Sequence, residues 1–378
     1  MNPYDVCVRG AGAVGHALAL SLARQGLRVA LQARPREPAT GESSSDIRAF
    51  AVNRASVALL QDLKVWNVLE GTAATAGHDM HIEGDAPGAS IDFSSWQQRV
   101  GALAWIVDAA ALESELASAA RFSPHITAVS PEVAVDASLT AICEGRDSYT
   151  RDKLNVHFER NDYGHRAIAA RLVAPQSHMN VARQWFRAPD VLALLPFDQP
   201  EPDRSYALVW SVPDARATEL MAMEPADFEQ QLFDATGGAC GELKLTGSVG
   251  NERAAWPLML AKASRWCGPG WVLLGDAAHV VHPLAGQGLN LGLADVSALT
   301  KVVAARESWR PLGDERLLRR YERERLAPTW AMGAVTDGLL RLFASQGASA
   351  KELRNRGLTL VDRLTPLKRW LTSHALDS

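Results

Sequence analysis

Two stretches of the chain, some 260 residues apart, combine residue types with a chemical use. The first is Gly10-Ala11-Gly12-Ala13-Val14-Gly15, which follows an apolar strand-like run at residues 5–9 and opens an apolar-periodic helix through Leu18, Leu22 and Ala23. At that spacing Gly10 permits a tight turn, Gly12 lets a pyrophosphate reach the backbone at the helix N-terminus, and Gly15 lets helix and strand pack closely. Ala19 is small where the helix must stay near the sheet, Gly26 ends the helix, and residues 27–31 read as a second strand. This βαβ opening reads as a dinucleotide site, with a purely structural glycine turn as the alternative. The second strand lacks the acid that accepts a ribose hydroxyl: in Leu31-Gln32-Ala33-Arg34, Ala33 takes its place. Arg34 and Arg36 leave a 2′-phosphate, and hence NADP, open here. Gln32, Arg34 or backbone groups are expected to substitute on the adenosine side.

The second stretch begins with the apolar strand Trp271-Val272-Leu273-Leu274 and continues Gly275-Asp276-Ala277-Ala278-His279-Val280-Val281-His282-Pro283-Leu284-Ala285-Gly286-Gln287-Gly288-Leu289-Asn290-Leu291-Gly292. A helix follows from about Leu293. An aspartate at the carboxyl end of a strand accepts from a polyol hydroxyl, and Gly286 to Gly288 offer backbone N–H groups at a helix start to negative charge on a ring. That pairing suits a flavin's ribityl chain and the anionic edge of its ring; a nicotinamide cofactor has no ribityl chain.

The elements that must position these motifs fall into two groups. Short apolar or alternating runs at 154–159, 166–173, 180–186, 191–197 and 206–212 are separated by turn residues such as Asn161-Asp162-Tyr163-Gly164. They predict an antiparallel sheet, joined by an excursion at 78–93, that floors a substrate site. Beyond about Arg310 the chain reads helical at 317–326, 331–343 and 351–370. From Lys351 onward six Lys/Arg against three acids, interleaved with Leu358, Leu360, Leu364, Leu367, Trp370 and Leu371, give a basic amphipathic end. It suits a membrane surface or a partner protein, or else packs on the cofactor domain with its basic face in water.

Composition narrows the function class. At 378 residues and 47% hydrophobic, the chain has room for two or three domains with full cores. The net charge of −4 gives no field for nucleic acid. No apolar stretch approaches the roughly 20 residues of a membrane span. A strand pattern starting at Tyr4 leads us to expect no targeting peptide and a cytoplasmic protein. Cys7, Cys143, Cys240 and Cys267 form no CxxC pair and are read as reduced thiols. His279 and His282 could bind a metal at i, i+3, but no third ligand accompanies them, so they are expected to line or buttress the cofactor pocket and no metal is expected. Trp185, Trp210 and Trp256 read as core before substrate contact, and Asp108 as the N-cap of a helix at 109–119.

With both motifs in place, the sequence resembles the FAD-dependent aromatic-ring monooxygenases, and within them the ubiquinone-biosynthesis hydroxylases. The resemblance runs over nearly the whole chain. Besides the two motifs it rests on Asp46-Ile47-Arg48-Ala49-Phe50-Ala51-Val52 before a helix at 56–66 and on Glu144-Gly145-Arg146-Asp147-Ser148-Tyr149-Thr150-Arg151. The latter is similar to the family's D-G-x-x-S-x-x-R with Glu for Asp. Asp162-Tyr163-Gly164-His165 and Leu194-Leu195-Pro196-Phe197 are similar to that branch as well.

The resemblance implies an α/β fold like that of para-hydroxybenzoate hydroxylase: a Rossmann-like FAD-binding domain (1–75, 98–152, 257–310) interleaved with an antiparallel β-sheet substrate domain (76–97, 153–256), then C-terminal helices (311–378). Gly10, Gly12, Ala13, Val14 and Gly15 would hold the FAD pyrophosphate, with Arg34 on the adenosine side and Arg48 along the cofactor. Asp276 would bind the ribityl chain and Pro283 would pass close to the reactive ring face, with Gly286, Gln287, Gly288, Leu289 and Asn290 around the pyrimidine edge. The Glu144 to Arg151 segment would serve both FAD and NAD(P)H. The implied reaction uses NAD(P)H as transient co-substrate and O2, passing one oxygen from a flavin C4a-hydroperoxide to an aromatic carbon; no catalytic side chain is assigned. The expected substrate is a prenylated phenol, which makes contact with the inner membrane or a biosynthetic complex through the C-terminal helices reasonable. A same-fold flavoenzyme acting on a small soluble aromatic or reducing an isoprenoid, and a non-catalytic scaffold suggested by Ala33 and Glu144, stay open as alternatives.

Overall fold

The computed structural model describes residues 3–32, 46–84, 88–247, 252–281 and 287–344. The opening strand Tyr4–Arg9 is apolar and lies between two parallel neighbours, Val29–Gln32 and Ala137–Ile142, with Val6 opposite both Val29 and Leu139. Strands covered on both faces are apolar without alternation, and Val6, Val8, Val29 and Leu139 are all fully buried. Parallel neighbours need a crossover, supplied by the helix Ala13–Ala23, whose residues are apolar on nearly every side and almost all buried. Ile126–Val129 and Trp271–Leu273 extend this sheet in parallel, and Cys267–Gly268 closes its edge antiparallel. Trp271–Leu273 sits beside Ala137–Ile142, so the chain leaves this sheet and returns more than a hundred residues later.

The second large sheet is built on the strand Phe158–Val173, which pairs with Ser205–Pro213 and Arg253–Ala263. Residues 161–164, expected as a turn, lie within that strand; the ladder slips between Asp162 and His165 and then resumes. A register shift accommodates polar turn formers without breaking the strand. The sheet is also not wholly antiparallel, because Asp79–Glu83 runs parallel to Val181–Arg187. Period-two alternation divides its faces. Ile168, Leu208 and Trp210 pack with Trp185 under the helices Asp214–Ala222 and Pro225–Thr236, against Leu220, Phe228 and Leu232. Those two helices were not recognised in the sequence. Ala167, Ala169, Val209 and Ser211 point the other way.

A three-stranded sheet of Ala49–Val52, Ala104–Asp108 and Ala74–Gly77, also unanticipated, lies between the two. Helix Arg54–Asp62 starts at Asn53, whose side chain accepts from Ser56 N–H at 2.9 Å, and gives way to a separate short helix Trp66–Leu69. Residues 317–326 and 331–343 form one helix, Glu315–Ala344, with Pro328 inside it, rather than two; a proline can be held mid-helix where packing offsets the lost hydrogen bond. The expected helix at 351–370 lies outside the described residues. No helix among the described residues is long and apolar enough to cross a membrane.

Candidate active site

A cavity of about 700 Å³ runs from the glycine turn to the second sheet. At one end stand Gly10 to Val14. Gly10 has φ +108°, and a Cβ there would come within 2.3 Å of the Cys143 carbonyl oxygen. A Cβ on Gly15 would come within 1.9 Å of Gly10 O. Both glycines are therefore required by packing alone. Gly12 differs: a Cβ there would meet nothing within 4 Å. It is the N-cap of helix Ala13–Ala23, no side chain caps that end, and the first turn carries no acid. The helix N-terminus thus presents bare N–H groups and the positive end of its dipole to open space, which suits a pyrophosphate.

Asp276 occupies the strand end across from this turn, in a 3-10 turn Gly275–Ala277. Its carboxylate is open to the cavity yet ringed by protein, which raises its pKa through loss of hydration, against the pull of His279, Arg146 and Arg48. The two motifs pack directly on one another: Val14 lies against both Gly275 and Gly292. Arg48 also lines the cavity, its guanidinium 5.7 Å from the ring centres of Phe50 and Trp256 and held by Asp46, Nε to Oδ1 at 2.8 Å. Trp256, read first as core, lines the cavity, whereas Trp185 and Trp210 are buried at 1% and 0%.

Glu144 shows how the longer side chain is accommodated. Its carboxylate accepts from Thr150 N–H and Oγ1–H (2.8 and 2.7 Å), from Ser148 Oγ–H (2.8 Å) and from Arg9 Nε (3.1 Å). Burial pushes its pKa up, but these donors outweigh burial and hold it below the usual glutamate value. Arg151, fully buried, lies 3.7 Å from the Phe158 ring centre and donates to Ala277 O at 3.3 Å. The segment therefore ties the first strand to the Asp276 turn, and Glu144, Gly145 and Arg146 reach the cavity wall.

Several expected residues sit elsewhere. Asn290 does not line the cavity: it is 1% exposed, donates to Ala51 O at 2.8 Å and accepts from Asn53 N–H at 3.0 Å, fastening helix Gln287–Ala304 to strand Ala49–Val52. Gln32 does not face an adenosine either; its amide donates to Ser130 O and Val133 O at 2.9 and 2.7 Å. Gly288 and Leu289 line the cavity, and Gln287 begins the helix. Ala33, Arg34, Arg36, His282, Pro283 and Gly286 lie outside the described residues. Asp108 caps helix Ala109–Arg121 as expected, accepting from Ala111 N–H at 2.8 Å.

Sequence reasoning missed Arg171, Asp295, Tyr321 and Arg325. Arg171 Nη2 donates at 2.8 Å to both Asp108 Oδ2 and Arg48 O, bridging the second sheet to the strand after Arg48. The other three surround the Asp276 turn from below. Only their polarity within helical apolar patterns could have flagged them. His279 is a buttress, its Nε2 2.7 Å from Asp295 Oδ2. Among the described residues no cluster of His, Cys, Asp or Glu could hold a metal. The four cysteines are free thiols; burial raises Cys7 to about 11 and Cys267 to about 12, and Cys143, which lines the cavity, is raised too.

An open glycine at an uncapped helix start, facing an aspartate at a strand end in one cavity, fits FAD. The FAD binding domain family matches residues 106–336, more than half of the chain. The chain belongs to that family. This flavoprotein is similar over 99% of its length, at 28% identity, to the ubiquinone hydroxylase UbiL of Rhodospirillum rubrum, of which 90% is covered. It is equally similar, at 28%, to the 3-demethoxyubiquinol 3-hydroxylase of Escherichia coli, with 99% of each chain covered. Its fold is that of PqsL from Pseudomonas aeruginosa, solved with 2-aminobenzoylacetate, at a TM-score of 0.75, 20% identity and coverage of 94% and 99%. The flavoprotein is an enzyme, FAD is its cofactor, and its architecture is that of the FAD-dependent monooxygenases.

Proposed function

We propose that this flavoenzyme is a monooxygenase that uses NAD(P)H and O2 to hydroxylate the ring of a prenylated phenol in ubiquinone biosynthesis. One observation carries the reading: a single cavity joins the glycine turn and Asp276 to a sheet face of Ala167, Ala169, Ala193, Val209 and Leu195. The names of its relatives support the substrate class. Residues 1–75, 98–152 and 257–310 are assigned to the FAD-binding domain, 76–97 and 153–256 to the substrate domain, and 311–378 to the C-terminal region.

When bound, FAD supplies the reduction by a nicotinamide and the oxygen transfer that no side chain can perform. The chain's own residues bind, orient and keep the site dry. The helix start at Gly12 to Val14 would receive the pyrophosphate on its N–H groups, Gly10 shaping the turn with its own N–H donated to Gln32 O at 2.7 Å, and Asp276 would accept from the ribityl hydroxyls. Arg48, fixed by Asp46 and set against Trp256, closes one side, while Glu144 to Arg146 edge the opening. The apolar sheet face and Met80 exclude water from the reacting region and hold the aromatic ring and its tail in van der Waals contact. A lipophilic substrate also accounts for exposed Leu326 and Trp330 on helix Glu315–Ala344, which we assign, with the basic C-terminal stretch, to contact with the inner membrane.

The test is the visible spectrum of the purified protein followed by NAD(P)H oxidation with and without a prenylated phenol. Flavin bands near ~370 and ~450 nm and consumption stimulated by that phenol are the expected result. Stimulation by a small soluble phenol alone would replace the substrate class, and absence of flavin uptake would overturn the reading.

A further inference from the structure

Three backbone groups in and beside the turn that carries Asp276 are hydrogen-bonded to side chains from three distant elements. Tyr321 Oη–H donates to Leu273 O at 2.9 Å, Gly275 N–H donates to Asp295 Oδ2 at 2.9 Å, and Arg151 Nη1 donates to Ala277 O at 3.3 Å. All three side chains are fully buried. Asp295 does more than accept one N–H. Its Oδ2 also takes His279 Nε2 at 2.7 Å and its Oδ1 takes Arg325 Nε at 2.8 Å, so one carboxylate joins both ends of the turn to helix Glu315–Ala344. Burial opposes ionisation of Asp295, but His279 and Arg325 outweigh it and keep the carboxyl below its usual range.

Asp295 lies behind the cavity wall and does not line it. Gly275 directly precedes Asp276 and has φ +58°, so the orientation of its peptide sets the direction in which the Asp276 side chain leaves the turn. We propose that Asp295 is a positioning residue for the cofactor, acting through Gly275 N–H and His279 to aim the Asp276 carboxylate at the ribityl chain. The inference rests on the ribityl role assigned to Asp276 above.

The test is a double-mutant cycle on FAD affinity, read by quenching of flavin fluorescence on titration into the apoprotein. Asp295→Asn keeps the volume but leaves a single oxygen for three donors. Its dissociation constant for FAD is expected to rise about tenfold, as is that of Asp276→Ala, while Asp295→Asn changes affinity less than about twofold in the Asp276→Ala background. Lumiflavin, which lacks the ribityl chain, is expected to bind wild type and Asp295→Asn alike. Equal losses in both backgrounds, or an Asp295→Asn affinity within twofold of wild type, would overturn the positioning role while leaving the FAD site standing. An Asp276→Ala variant that binds FAD as wild type does would overturn the ribityl assignment and the proposal with it. If Asp295→Asn alone does not fold because Arg325 is left as an unpaired buried cation, the charge-matched pair Asp295→Asn with Arg325→Gln goes through the same cycle with the same outcomes.

Discussion

Val14 and Gly292 meet across the junction of the two cofactor motifs: a Cβ on Gly292 would lie 2.6 Å from Val14 Cγ2. Val14 is β-branched and stiff at χ1, and the same methyl group is also the nearest atom to a Cβ built on Gly275, so relief of the contact requires a change of rotamer or a shift of the helix. Gly292→Ala is expected to destabilise the protein by about 1–3 kcal/mol through overpacking. Chemical denaturation of Gly292→Ala alone and with Val14→Ala checks this. The double variant should lose less than the sum of the two single losses, because removing the valine methyl groups opens the space the new methyl needs; strict additivity would contradict the contact.

Gly12 offers the opposite case, since a Cβ there meets no protein atom. Gly12→Ala should leave the melting temperature of the apoprotein within about 2 °C of wild type, as expected for a change of under ~0.5 kcal/mol. FAD affinity should nevertheless fall at least about tenfold, equivalent to ~1.4 kcal/mol, because the methyl group fills the pyrophosphate's path. Flavin titration against thermal unfolding separates the two effects.

Glu144 links stability to pH. Thr150, Ser148 and Arg9 hold its carboxyl below the ordinary glutamate value of 4.5, despite burial. A depressed carboxyl pKa gives stability that is complete above the unfolded value and is lost as pH falls through the folded one. The wild-type advantage over Glu144→Gln is therefore expected to be about 1–3 kcal/mol at neutral pH and to shrink steadily below about pH 4.5. Denaturation midpoints of the two proteins between pH 3 and pH 7 measure it; a difference independent of pH would show that the charge is not what the four donors stabilise.

Ala169 lies on the cavity face beside Val209, so a large side chain there fills the region assigned to the substrate. Ala169→Phe is expected to keep its flavin spectrum and to lose at least about tenfold of the phenol-stimulated NAD(P)H oxidation, equivalent to ~1.4 kcal/mol of transition-state stabilisation. Unchanged stimulation would place the substrate elsewhere in the cavity.

Removing only the Tyr321 hydroxyl tests the support of the Asp276 turn from the C-terminal helix. Tyr321→Phe leaves Leu273 O, which is fully buried, without that donor, and is expected to cost about 1–3 kcal/mol. Thermal unfolding of the FAD-bound enzyme is the measurement.

The sequence by itself determined what local geometry can encode. The glycine spacing at 10, 12 and 15 announces its own turn, because a tight turn and close helix packing leave only glycine at two of those positions. Gly275-Asp276 after an apolar strand is legible for the same reason, and so is the Asp108 cap. Period-two alternation exposed the strands of the second sheet, though not the register shift that carries Phe158–Val173 through Asn161 to Gly164.

Only the tertiary structure decided which polar groups face the cavity and which are structural. Asn290 sits among motif residues yet serves Ala51 and Asn53, and Gln32 turns to Ser130 and Val133. Asp295 and Arg325, in contrast, are unremarkable in the sequence and meet 30 positions apart beneath Asp276. A side chain's partner depends on which elements pack together, and burial forces each polar group to find one. That matching is settled across the whole fold, where no local spacing records it.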